Sequence, residues 1–106
     1  SITNTIKAAK KNAAHTLKIE IEVETLENVQ EALDAKADII MLDNMSTNMM
    51  AEAVKLCKGQ AVTEASGGVT LSTVKEIAET GVDIISIGAI THSAPNLDIS
   101  LDITSL

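Results

Sequence analysis

Between Lys18 and Glu24 the chain alternates without a break, Ile19, Ile21 and Val23 on one face and Lys18, Glu20, Glu22 and Glu24 on the other. A period of two predicts a strand. Before it, Ile2, Ile6, Ala9 and Ala13 recur at near-helical spacing over residues 1–14, with Lys7, Lys10 and Lys11 off that stripe, so an amphipathic helix leads in. After it, Thr25 is a helix cap, and Leu26, Val29 and Leu33 form the buried stripe of a helix running to about Ala35. Residues 38–43 are nearly all apolar, as expected of a parallel strand covered on both sides. Ser46 or Thr47 caps the next helix, with Met49, Met50, Ala53, Val54 and Cys57 inward and Gly59 closing it.

Residues 61–66 form a third strand whose alternation puts Glu64 and Ser66 on one face. Thr70 or Ser72 starts the helix after it, with Leu71, Val74, Ile77 and Ala78 buried and Gly81 as its stop. Residues 83–88 are the fourth strand. Leu97, Ile99, Leu101 and Ile103 then alternate with Asp98, Ser100, Asp102 and Thr104, a fifth, half-exposed strand at an edge or against another domain.

Helix, three βα units, a fourth strand and a terminal extended segment make an α/β fold: a partial (half) βα barrel with parallel strands. A complete eight-stranded barrel takes roughly 250 residues. A chain of 106 residues supplies about half of one, as a single domain with an open side. That side is closed either by self-association or by further chain; the start at Ser1, directly on a helical pattern, favours the latter. In a closed barrel the apolar face of the first strand meets the helices and its glutamates point inward. Carboxylates there are costly unless paired with cations, which makes them candidates for a site.

Composition narrows the partners. Fifteen acidic residues against 8 basic ones, a net charge of −7, argue against nucleic acid and anionic membrane surfaces. Phe, Tyr and Trp are absent, so no base-stacking platform exists. Every basic residue is a lysine. Cys57 is the single cysteine and reads as a reduced core thiol, and the methionines around it as core filling. His15, near the end of the first helix, suits the helix dipole better than chemistry. With no apolar run of membrane length and no leader before the first helix, the cytoplasm is the expected compartment.

Catalytic groups of barrel enzymes sit at the C-terminal ends of strands. Those ends carry Glu22 and Glu24, then Asp43, then Glu64 with Ser66-Gly67-Gly68, then Gly88 to His92. Glycines let backbone N–H groups approach a ligand, and hydroxyls and helix starts favour anions, so two such loops in consecutive units predict a phosphate site. Carboxylates facing it suit a phosphorylated sugar held with magnesium, which commonly bridges one or two carboxylates to substrate phosphates.

The words themselves are more specific. Glu20-Ile21-Glu22-Val23-Glu24, Ile40-Met41-Leu42-Asp43-Asn44-Met45, Glu64-Ala65-Ser66-Gly67-Gly68, Glu79-Thr80-Gly81-Val82-Asp83, Gly88-Ala89-Ile90-Thr91-His92-Ser93 and Leu97-Asp98-Ile99-Ser100-Leu101-Asp102 occur in this order. Together they strongly resemble the C-terminal part of the quinolinate phosphoribosyltransferase family, also called nicotinate-nucleotide pyrophosphorylase (carboxylating), over nearly the whole chain. The resemblance implies that residues 1–106 are the C-terminal part of a phosphoribosyltransferase barrel whose N-terminal domain and first strands lie elsewhere. It implies conversion of quinolinate and phosphoribosyl pyrophosphate to nicotinate mononucleotide, pyrophosphate and carbon dioxide, in NAD synthesis. Glu22 and Asp43 would hold the ribose hydroxyls and Mg2+. Ser66, Gly67, Gly68, Gly88, Ala89 and His92 would bind the 5-phosphate, with Asn44 and Glu64 as supporting groups behind them. A homodimer or larger homo-oligomer is implied as well.

What departs from the family is the acid-binding set. A chain without arginine offers no bidentate grip on a dicarboxylate, and Lys18 lies at the wrong end of its strand. These residues alone are therefore expected to be inactive. Two alternatives stand beside the enzyme reading: a self-associating half-barrel that binds phosphate without catalysis, and a related transferase acting on another acid.

Overall fold

A computed structural model describes residues 1–12, 17–88 and, as backbone, 98–102. The lead helix α1 runs Ile2–Asn12, followed by β1 (Glu20–Val23), α2 (Leu26–Asp34), β2 (Ile39–Asp43), α3 (Thr47–Cys57), β3 (Val62–Ser66), α4 (Val74–Glu79), β4 (Ile84–Gly88) and β5 (Asp98–Asp102). The strands form one sheet in the order β1-β2-β3-β4-β5, the first four parallel and β5 antiparallel to β4. Parallel strands adjacent in both sequence and space need helical crossovers, and the right-handed rule puts all of these on one face.

The burial pattern follows. On the helix side lie Val23, Ile40, Leu42, Ala65 and Ile85, all sealed from water, packed against Val29, Ala32 and Leu33 of α2, Met50, Ala53 and Cys57 of α3, and Ile77 of α4. Ile6 of α1 joins them, while Thr3 docks its hydroxyl on Glu31 of α2 at 2.8 Å. On the other face stand Glu20, Glu22, Asp43, Glu64, Ser66 and Ser86. The apolar side chains of that face, such as Val62 at 39 % exposed, lack such cover. This is the inward-glutamate arrangement expected from the alternation of β1.

Local chemistry fixes where the elements begin and stop. The Thr25 hydroxyl accepts the Asn28 N–H to open α2, and the Ser46 hydroxyl accepts that of Met49 to open α3. The end of α2 folds back through Lys36 N–H to Leu33 C=O and Ala37 N–H to Ala32 C=O, with Lys36 in the left-handed region at φ 67°. The α4 region departs from expectation. The helix begins only at Val74, and Leu71, expected in the core, is 82 % exposed. The reason is local: Thr70 N–H donates to the Thr73 hydroxyl, which donates back to the Thr70 carbonyl, while the Thr70 and Ser72 hydroxyls bond each other. Such side-chain bonds hold the backbone in a turn and defer the helix. Among the described residues no helix is long and apolar enough to cross a membrane.

Candidate functional site

β1 and β2 bring two carboxylates to their C-terminal tips. Glu22 stands opposite Met41 in the register, so Asp43 lies one inward-facing step further along β2. The right-handed twist of neighbouring strands brings such diagonal side chains within reach of each other. The Glu22 carboxyl reaches Asp43, and this contact, then the Asp43 charge, slight desolvation and the Glu24 charge, raise its proton affinity above the ordinary carboxylate value. Two like charges this close favour a shared proton or a cation between them. The ion pair found among the described residues, Lys55 with Glu52, lies on the solvent side of α3 and does not compensate them.

β3 supplies the other flank. The Ser66 hydroxyl donates to Asp43 Oδ1 at 3.5 Å, and the Asn44 N–H donates to the Ser66 carbonyl at 3.0 Å. Gly67 and Gly68 follow with φ of 79° and 70°, a conformation that side-chain-bearing residues resist. At Gly67 space is as decisive as conformation. A Cβ there would run into Asp43 Oδ1 and lie 2.9 Å from the Asn44 nitrogen. The acidic tip of β2 is thus seated directly on the glycine loop. Val69, buried, anchors the loop on its far side. Because α4 starts only at Val74, the loop's capacity for an anion rests on backbone N–H groups and the Ser66 hydroxyl, not on a helix start.

One step below lies a second polar set. The Ser86 hydroxyl donates to Glu64 Oε2, bridging β4 and β3, and Glu64 is only 8 % exposed. Across β2, Glu20 reaches the same carboxylate. This contact, then partial burial, then the charges of Glu64 and Glu22, push the Glu20 carboxyl up to about 7. Glu20 and Glu64 meet because alternate strands contribute to one layer of a barrel interior. Glu20 was a candidate only as one of the inward glutamates of the first strand, and Ser86 was not a candidate at all. Alternation alone put Glu20 beside Glu22, but the layer could be seen only once the register was known.

Glu22 and Asp43 offer a divalent cation two oxygen ligands in contact. Magnesium is commonly held by one or two carboxylates, with waters and substrate phosphates completing the set. The arrangement fits that mode and no dedicated cage, since no cluster of three ligands is found among the described residues.

The remaining predicted residues divide simply. Gly88 ends β4, opposite Asp98 in the register, on the same edge of the sheet as Ser66. Ala89, His92 and His15 lie outside the described residues. Lys18 lines a hollow of about 390 Å³ with Asp38, Ile39, Gln60, Ala61 and Val62, at the N-terminal ends of the strands and away from the carboxylates, as anticipated.

Residues 1–102 match the family model described as quinolinate phosphoribosyl transferase, C-terminal domain. The chain is 44 % identical over 104 residues to a probable nicotinate-nucleotide pyrophosphorylase [carboxylating] of Bacillus subtilis (strain 168), covering 98 % of this chain and 36 % of that protein. A probable enzyme of the same name from Synechocystis is 46 % identical over 106 residues, covering 97 % and 36 %. Among solved structures, the nicotinate-nucleotide pyrophosphorylase of Ehrlichia chaffeensis superposes with a TM-score of 0.79 at 44 % identity, over 88 % of this chain and 34 % of that one. That of Francisella tularensis gives 0.76 at 41 %, over 85 % and 32 %. The chain thus spans about a third of the length of these relatives. With profile, sequence and fold agreeing on the sheet that carries Glu22, Asp43 and the Ser66 loop, the chain belongs to the quinolinate phosphoribosyl transferase family, through its C-terminal domain.

Proposed function

We propose that the protein carrying this chain is a quinolinate phosphoribosyltransferase, joining quinolinate to phosphoribosyl pyrophosphate with release of pyrophosphate and carbon dioxide. The observation that carries the reading is the seating of Asp43 on Gly67, within reach of the Ser66 hydroxyl. It sets a carboxylate flank and a phosphate-receptive flank side by side, the two ends of a 5-phosphorylated ribose. The 5-phosphate is received by Ser66, Gly67, Gly68, Gly88, Ala89 and His92. Glu22 and Asp43 hold the ribose hydroxyls and stabilise positive charge as it develops at the anomeric carbon. Glu22 and Asp43 would also hold magnesium, which when bound would neutralise charge on the leaving pyrophosphate. The protein's share is positioning and fixed electrostatics, with no covalent step on a side chain.

Quinolinate is a dicarboxylate, and this chain has no arginine to grip it. Its recognition groups belong to the rest of the protein or to a partner subunit of a homodimer or larger homo-oligomer, and the 106 residues alone do not turn over substrate. The cytoplasm is the compartment that fits this reading. The test is steady-state kinetics of the full-length protein and its Glu22→Gln and Asp43→Asn variants. Each variant is expected to lose about 100-fold or more in kcat/KM for phosphoribosyl pyrophosphate, in the range for removing one preorganised electrostatic group. Retention of activity within threefold in both would overturn the assignment.

A further inference from the structure

Two non-glycine residues with positive φ occur among the described residues, Lys36 at 67° and Asn44 at 57°. Lys36 is accounted for by the return hydrogen bonds at the end of α2. Asn44 ends no helix. It lies between the tip of β2 and the Ser46 cap of α3, and asparagine is among the residues that best tolerate this region. One hydrogen bond and two close approaches to the glycine loop involve it. Its N–H reaches the Ser66 carbonyl at 3.0 Å, one residue past the last ladder pair, Asp43 with Ser66. Its nitrogen lies 2.9 Å from where a Gly67 Cβ would stand, and Asp43 Oδ1 fills the same space. Its side-chain Oδ1 comes to 3.9 Å from the corresponding position at Gly68.

We propose that Asn44 is a positioning residue: its left-handed backbone clasps the carboxylate tip of β2 to the glycine loop of β3, so that both flanks of the site are set by one conformation. The ligand identity, and only that, rests on the functional reading above. Turning residue 44 to negative φ between the packed β2 and α3 has to be taken up at ψ of Asp43, which rotates the peptide the two residues share and swings the residue-44 N–H away from the Ser66 carbonyl beside Gly67. The separation between the ribose-facing carboxylate and the phosphate-facing loop would change with it. A β-branched residue imposes this, because it resists positive φ; glycine does not.

The experiment compares Asn44→Val and Asn44→Gly in the full-length protein, reading KM for phosphoribosyl pyrophosphate, KM for quinolinate, and hydrogen exchange at the residue-44 amide. Asn44→Val should raise KM for phosphoribosyl pyrophosphate about tenfold, leave KM for quinolinate within twofold and lose amide protection. Asn44→Gly should rescue both readouts, staying within threefold of the wild type. Should the valine variant not fold, Asn44→Ala carries the same comparison with a smaller loss. Equal damage from glycine and valine overturns the proposal, since the side-chain amide would then be the working group. So does a valine variant with unchanged KM and a protected amide. A wild type that does not use quinolinate removes the functional reading instead, and the exchange data still decide the clasp.

Discussion

Glu20 shows how a single side chain reports on the whole sheet. Its carboxyl titrates at about 7 against an ordinary 4.5, chiefly because it meets Glu64 across β2. In the folded state it keeps a proton that the unfolded chain gives up between those two values. Stability from this group is therefore complete below about 4.5, falls as pH rises to about 7, and changes no further above that. Glu20→Gln should flatten this decline. Urea midpoints of wild type and variant at pH 5 and pH 8 check it: the gap between the two pH values narrows in the variant, and a gap of undiminished size refutes the contact.

At the scale of elements, β2 and β4 share a device. Asp38 Oδ2 accepts the Ile19 N–H at 2.8 Å, and Asp83 Oδ2 accepts the Thr63 N–H at 2.9 Å. Each aspartate, just before its own strand, ties that strand to the start of the one before. Asp83 also receives the Thr63 hydroxyl at 3.3 Å, so Asp83→Ala leaves a buried threonine with two donors short of an acceptor. The cost is about 1.5–3 kcal/mol by denaturant unfolding, the range for a hydrogen bond to a charged group. Asp34→Ala, which loses only the exposed Gln30 contact, should cost within about 0.5 kcal/mol. Equal losses would dismiss the tie. Of these elements, the strands and the Thr25 cap were legible from alternation and cap chemistry, and the second cap as either Ser46 or Thr47, of which Ser46 makes the bond. The start of α4 was not. Thr70 or Ser72 was expected to open it, and the turn that displaces that start depends on bonds among the Thr70, Ser72 and Thr73 side chains that spacing does not encode.

At the scale of the molecule, the sheet presents its carboxylates on the face that helices do not cover. That Glu22, Asp43 and Ser66 share the C-terminal tips of neighbouring strands was legible from the strand pattern. That Glu20, Glu64 and Ser86 meet in one layer was not, because the meeting of side chains from alternate strands depends on the register between them. The register that pairs Asp43 with Ser66 sets Asp43 over Gly67, the junction proposed to hold a 5-phosphorylated ribose. The most direct measurement is a crystal structure of the full-length protein with phosphoribosyl pyrophosphate and magnesium. The 5-phosphate is expected against the backbone of residues 66–68 and the tip of β4, with the ribose hydroxyls on Glu22 and Asp43. A phosphate bound instead in the hollow beside Lys18 and Asp38, or a ribose clear of both carboxylates, would contradict it.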